Sequence, residues 1–280
     1  YVLEIKKNFV GIFFIRKENS ICQWFPKKKS NKMKDFGIII EARMGSSRLP
    51  GKILKLINNK STALAFLLKR LSNKYGKQSI IIATTKSQKD DVVVNFAKKN
   101  KYKIFRGSEN NVCDRVIKAA KFFKVKHIIE ITSDCVLIDT NLIDECLKVY
   151  KYHEVDYVSN CEFRSYPDGM DVQIIKLSSL VKSYGLMNSD YDKENVTTHI
   201  RRDKKNFKKI NLFAPKKLNY PHLGLTLDTI EDLNLIKKII SYFNKRSKKN
   251  NFNCEDVIKF LLSNSSLIKI NSHIKRNEIK

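Results

Sequence analysis

Arg43, Gly45, Ser46, Ser47, Arg48, Gly51 and Lys52 crowd one short stretch, RMGSSRLPGK, directly after an apolar run at 36–40, FGIII. Glycine lets backbone amides approach an anion closely, and arginine and lysine place forked and point-like positive charge beside them. The chemistry of that set is polyphosphate binding. It is not the common P-loop, which needs Ser or Thr after its Lys: here Ile53 follows Lys52, and Gly45 and Gly51 lie six apart. A Gly/Ser-rich surface loop has a similar composition, so what stands around the loop decides its role.

The elements that must position it are legible from periodicity. Residues 61–71 carry a helical apolar face with Ser61 or Thr62 as N-cap, and 79–83 (SIIIA) is a β-branched run of a strand buried on both faces. Asp90 and Asp91 open a helix to Lys99, 102–105 is a short strand, 111–123 is amphipathic, and 127–131 (HIIEI) is again strand-like. A helix over 141–152 and an extended segment at 157–159 follow. Strand and helix alternate with short connections, which predicts a doubly wound, mostly parallel α/β sheet. Beyond Asn160 the alternation loosens. A Pro-Asp-Gly turn leads to a strand at 170–176 and a helix at 178–186, then come a polar stretch at 190–203 and a strand near 207–213. LGLTLD (223–228) reads as a late strand, followed by helices over 229–243 and 253–262.

In such sheets ligands gather at the carboxyl ends of the strands. Those ends offer Arg43 and Lys52; Ala83, Thr84 and Thr85; Arg106, Gly107 and Ser108; Thr132, Ser133 and Asp134; and Asp228. Asp134 and Asp228 are hard oxygen donors, few in number, of the kind Mg²⁺ takes when it keeps waters and phosphate oxygens. Each has a plainer alternative, since Asp228 before Thr229 also suits a helix cap and Asp134 a turn. Together they suit nucleotidyl transfer: Arg43 and Lys52 along a triphosphate, a metal at the attacked phosphate, and no covalent nucleophile. No cysteine or serine is flanked by an obvious base.

Composition narrows the classes. With 280 residues and 42% hydrophobic content the chain buries one substantial core. The net charge of +27 invites nucleic acid, but the lysines are dispersed along the chain, and a binding footprint is concentrated. The six cysteines, Cys22, Cys113, Cys135, Cys146, Cys161 and Cys254, form no CxxC pair, which predicts reduced thiols in a cytoplasmic protein. Residues 1–32 read as a leader outside the functional unit. Their apolar run 10–15 is too short to span a membrane, and the first methionine is Met33. Residues 33–265 then form a single domain, and 266–280 a mobile basic tail.

The ordered segments EARMGSSRLPGK, IIATT, FRGSENNVCDR, ITSDCVLID, DYVSN, YPDGMDVQ, ENVTTHIR and LTLDTIEDL resemble the cytidylyltransferases that activate acidic sugars, in the SpsF-like branch. The resemblance spans 36–240 and implies a Rossmann-like nucleotidyltransferase fold with a small insertion for sugar binding and dimerisation. It also implies CTP and Mg²⁺, a homodimer, and no nucleic-acid or membrane partner. By matching motifs, Ala42, Arg43, Gly45, Ser46 and Lys52 would contact the triphosphate, with Ala83, Thr84, Arg106 and Ser108 around the base and ribose. Asp134 and Asp228 would be the metal ligands, while Tyr166, Asp168, Gly169, Asp171 and Glu194 would face the sugar or the dimer partner. Glu41 stands where Gln or Pro is usual, Ser133 where Gly is, Val136 where Pro is, and Asn195 where His is frequent. The expectation is CMP transfer from CTP to an acidic sugar for surface polysaccharide synthesis. The alternatives are nucleotidyl transfer to a sugar phosphate or polyol phosphate, and a noncatalytic basic RNA-binding protein.

Overall fold

The structure, a computed structural model, describes residues 35–246 and 251–276. The expected leader at 1–32 lies outside the described residues. A seven-stranded sheet forms the frame: β1 (Phe36–Glu41), β2 (Ile80–Thr85), β3 (Lys103–Gly107), β4 (His127–Thr132), β5 (Tyr157–Ser159), β6 (Gln173–Lys176) and β7 (Lys209–Asn211), in the order β3-β2-β1-β4-β6-β5-β7. The first four are mutually parallel, β6 runs antiparallel to β4 and β5, and β7 is parallel to β5. The parallel strands therefore end along one rim, as the alternation requires.

The period of two along each strand splits the core into layers. Ile38 and Ile40, Ile80 and Ile82, and Ile129 and Ile131 point to one face, where helices α1 (Ala63–Tyr75), α4 (Thr140–His153), α8 (Ile230–Asn244) and α9 (Cys254–Leu262) close the larger core. Ile39, Ile81 and Ile128 point to the other, under α3 (Val112–Phe122), α5 (Leu177–Gly185) and α7 (Thr198–Arg202). α2 (Asp91–Lys99) packs on β3 and β2. Each fully buried isoleucine contributes roughly 1.5–3 kcal/mol, so Ile38, Ile39 and Ile40, all at 0% exposure, anchor β1 firmly at the centre of the sheet.

Capping chemistry sets the helix starts: the Thr62 hydroxyl accepts from Ala65 N at 3.3 Å, and Asn111 from Asp114 N at 2.9 Å. Thr229 and Asp232 form a reciprocal capping box at α8, so Thr229 is the N-cap and Asp228 is released from that duty.

Three expectations differ from what forms. Residues 223–228 make no strand: the flank of β4 is already taken by β6, and the segment keeps one bridge, Asp168 to Gly224. The polar stretch at 190–203 folds into α6 (Asp190–Glu194), capped by Ser189, and α7. The expected mobile tail is docked as far as Arg276. A short α10 (Ser265–Ile268) leads to Asn271, only 4% exposed, which donates to Gly224 O at 2.9 Å.

Candidate active site

The loop after β1 is shaped by Gly51, whose φ of 67° places it in the left-handed region that glycine tolerates without cost. Its amide donates to Met44 O at 3.1 Å, closing the loop and setting Lys52 at the head of a 3₁₀ turn, Lys52–Leu54. Ser46 Oγ accepts from Leu49 N at 3.3 Å, and Asp90 Oδ1 accepts from Met44 N at 2.6 Å while its other oxygen takes the Thr85 hydroxyl. Asp90 thus ties the loop to the end of β2, a role its position beside Asp91 gave no reason to expect. The amides of residues 45–48 make no hydrogen bond within the described residues, and a side chain at Gly45 would meet nothing nearer than Arg43 Cδ at 3.9 Å. Consecutive free amides beside cations form an anion cradle.

Beside it the two aspartates converge. Lys52 Nζ donates to Asp134 Oδ2 at 2.8 Å and to Asp228 Oδ1 at 2.9 Å, and Arg48 reaches Asp228 Oδ2 at 3.1 Å. Leu227 N donates to Asp134 O at 3.0 Å, so the backbones of the two segments are joined as well. Burial alone would raise the Asp134 carboxyl; the Lys52 charge and hydrogen bond outweigh it and hold it below its ordinary range. Burial disfavours the Lys52 ammonium, yet the two carboxylates raise its pKa above the usual lysine value.

This donor set fits a small hard cation. Lys52 already places one positive charge between two carboxylates, and among the described residues no cluster of three or more His, Cys, Asp or Glu could hold a metal. Two protein oxygens leave the remaining positions to water and phosphate, the usual manner of Mg²⁺.

Arg43 leans the other way, to Glu194 Oε1 at 3.1 Å and Glu109 O at 3.3 Å. A cavity of about 150 Å³ opens here on the face bearing Ile39, lined by Glu41, Glu130, Asp171, Gln173, Glu194 and Arg201 among others. Arg164 holds Asp171 in a two-pronged bridge of 2.8 and 3.0 Å and reaches Asp168 at 3.0 Å. Burial, ahead of the neighbouring charges, pushes the Asp168 carboxyl up to about 6.

The other expected residues are placed as follows. Ala42 and Ala83 are buried and joined by Ala42 N to Ala83 O at 3.2 Å. Thr84 is buried at the rim, its hydroxyl without a partner. Arg106 is fully engaged, donating to Thr85 O (2.9 Å) and Ser87 O (2.8 Å) and pairing with Asp91 (2.6 Å), and so braces the loop after β2. Ser108 caps its own turn, accepting from Asn111 N at 3.0 Å. Tyr166 does not face an opening: it is 6% exposed within the larger core. Gly169, at φ 94°, lies where a side chain would come within 2.5 Å of Thr226 N, so it allows two backbones to touch. Arg48 was part of the basic loop read from the sequence, whereas Asp90, Glu130 and Arg201 carried no signal as site residues.

Comparison with known proteins agrees with this arrangement. Residues 37–261 match the family model described as cytidylyltransferase. The spore coat polysaccharide biosynthesis protein SpsF of Bacillus subtilis is 30% identical over 236 residues, 83% of this chain and 96% of that protein. The 3-deoxy-manno-octulosonate cytidylyltransferase 2 of Hydrogenovibrio crunogenus is 30% identical over 122 residues, 42% of this chain and 48% of that one. The structure of a cytidylyltransferase from Leptospira borgpetersenii superposes with a TM-score of 0.78 at 33% identity, covering 87% of this chain and 99% of the other. With a free-amide loop, two convergent carboxylates and these relatives in agreement, the chain belongs to the cytidylyltransferase family, in its SpsF-like branch, and is a nucleotidyltransferase enzyme that uses CTP.

Proposed function

We propose that the enzyme transfers CMP from CTP to a hydroxyl of an acidic sugar, releasing pyrophosphate, in the synthesis of a surface polysaccharide. The observation that carries this is Lys52 held between Asp134 and Asp228 beside the free amides of 45–48. A relative named for 3-deoxy-manno-octulosonate supports the acceptor class, and one named for spore coat polysaccharide biosynthesis supports the destination.

In this reading the loop amides and Arg48 receive the triphosphate, and Lys52 turns from its carboxylates to the phosphate oxygens, leaving Asp134 and Asp228 to hold Mg²⁺. Bound there, the ion would neutralise charge at the attacked phosphate. Arg43, on the cavity side, neutralises charge between nucleotide and acceptor, and the cavity positions the acceptor for in-line attack. No thiol takes part: burial pushes Cys135 well above the usual range and Cys161 to about 12.

The reading also includes a homodimer working in the cytoplasm, where CTP is available. Among the described residues no helix is long and apolar enough to cross a membrane. The decisive experiment supplies CTP, Mg²⁺ and a panel of sugar acids and follows pyrophosphate. Release that depends on acceptor and prefers CTP over UTP, GTP and ATP is expected; no release across the panel overturns it. Light scattering on the same preparation tests the dimer.

A further inference from the structure

The transfer as described leaves one buried cation unused. Arg115 shares the sheet-facing side of α3 with Val112 and Ala119, one turn away on either side, and is only 1% exposed. An ionised side chain is retained in such a place where fixed partners compensate its lost water. Its Nη1 donates to Ser108 O and, at 3.5 Å, to Glu109 O, and so holds the loop after β3. Gly107 makes room for it: a side chain there would come within 2.7 Å of Arg115 Cγ.

The charges that face Arg115 belong to the neighbouring strand ends. Among the carboxylates Glu41, the last residue of β1, acts on it most strongly, ahead of Asp90 and Glu109. Glu41 and Glu130, which the pleat turns to one face of β1 and β4, hydrogen-bond to each other; burial raises both carboxyls, and the Arg115 charge works against that rise at Glu41. Asp90 in turn holds the amide of Met44 at 2.6 Å. The link to the phosphate loop is closer still, because Glu109 O also accepts from Arg43 Nη1 at 3.3 Å. Two guanidinia thus converge on one carbonyl and repel each other. A neutral carbonyl does not cancel two positive charges, whereas an anion does. Arg43 has Glu194 as its other partner, an exposed pair at 3.1 Å that a phosphate can replace.

Resting on the CMP-transfer reading above, we infer that Arg115 is a positioning residue for the nucleotide: it fixes the Glu109 carbonyl that aims Arg43 at the triphosphate. It touches no substrate itself. Its effect reaches CTP through Arg43.

The test measures CTP affinity of the full chain by calorimetry, with Mg²⁺ and without acceptor, in wild type, Arg115→Lys, Arg43→Ala and the double variant. Lysine keeps the charge beside Glu41 but is too short to hold the two carbonyls, so the CTP dissociation constant of Arg115→Lys should rise by about tenfold. Arg43→Ala should lose at least as much, and the double variant no more than Arg43→Ala alone, because the two residues act in series. A brace that only stabilises the fold would lower the melting temperature and leave CTP affinity at the wild-type value, or would weaken it equally in both backgrounds; either result overturns the inference. Gly107→Ala keeps every charge and displaces Arg115. It should show the same loss and the same dependence on Arg43, and it carries the test if Arg115→Lys does not fold. If wild type itself binds no CTP, the transfer reading falls; if wild type and both variants bind CTP alike, the positioning role falls and the transfer reading stands.

Discussion

Lys52 donates to Asp134 over 2.8 Å, although 82 positions separate them in the chain. The same ammonium reaches Asp228, 176 positions away, which makes Lys52 an internal counter-ion for both carboxylates. Lys52→Met removes it, and turnover is expected to fall by at least ~100-fold, the cost of losing one preorganised charge at a phosphate. The same variant should bind Mn²⁺ more tightly without nucleotide, because a competing cation is gone; a titration followed by electron paramagnetic resonance reads this. Wild-type turnover would remove Lys52 from the site.

Asp134→Asn and Asp228→Asn each keep shape and lose charge. Both should lower turnover by at least ~100-fold while far-ultraviolet circular dichroism stays native, since Lys52 keeps one ionised partner in either case. The pH behaviour of Asp134 follows from its lowered pKa: its contribution to stability is present above the unfolded value of 3.8 and is lost as pH falls through the lowered folded value. Asp134→Asn should accordingly lose less stability than wild type on acidification.

This pair was legible because each aspartate closes an apolar run, and the rim of a parallel sheet is where such residues meet. β1, β2 and β4 were legible for the same reason: period-two burial leaves isoleucine on both faces. Residues 223–228 have a strand's composition, but pairing needs a free edge, and which edge is free depends on β6, far away in sequence. Tyr166, expected from the motif match to face the sugar or the dimer partner, is packed in the larger core, and its burial depends on contacts that its own segment does not reveal. The Glu41–Glu130 pair has no sequence signal, since it exists only through strand register.

Glu130→Gln imitates the protonated carboxyl that burial favours at Glu130. In wild type the folded protein holds its proton more tightly than the unfolded chain, so the stabilisation is full below about 4.5 and lost as pH rises through the raised folded value. Each pH unit across that window is worth about 1.4 kcal/mol, or about 2–4 °C in melting temperature. Melting curves from pH 4.5 to 8 should show the variant gaining on wild type as pH rises. A constant difference would show that burial does not hold a proton on Glu130.

Arg276 acts on the site through Asp232. Its Nη2 lies 2.7 Å from Asp232 Oδ1, where Asn271 also donates at 2.7 Å, and Asp232 Oδ2 accepts from the amides of Asp228 and Thr229 at 3.0 and 2.9 Å. Burial would raise the Asp232 carboxyl, but the hydrogen bonds from Arg276 and Asn271 prevail and lower it. The docked end of the chain therefore fixes the backbone that presents Asp228. Arg276→Ala leaves that buried carboxylate with one side-chain partner fewer, a loss of about 1–3 kcal/mol. A structural brace alone would lower the melting temperature and nothing else. A positioning residue should also raise the Mg²⁺ concentration needed for half-maximal turnover and lower kcat while the acceptor KM holds, with Arg276→Lys restoring part of both. A wild-type Mg²⁺ dependence in Arg276→Ala would confine the strap to stability.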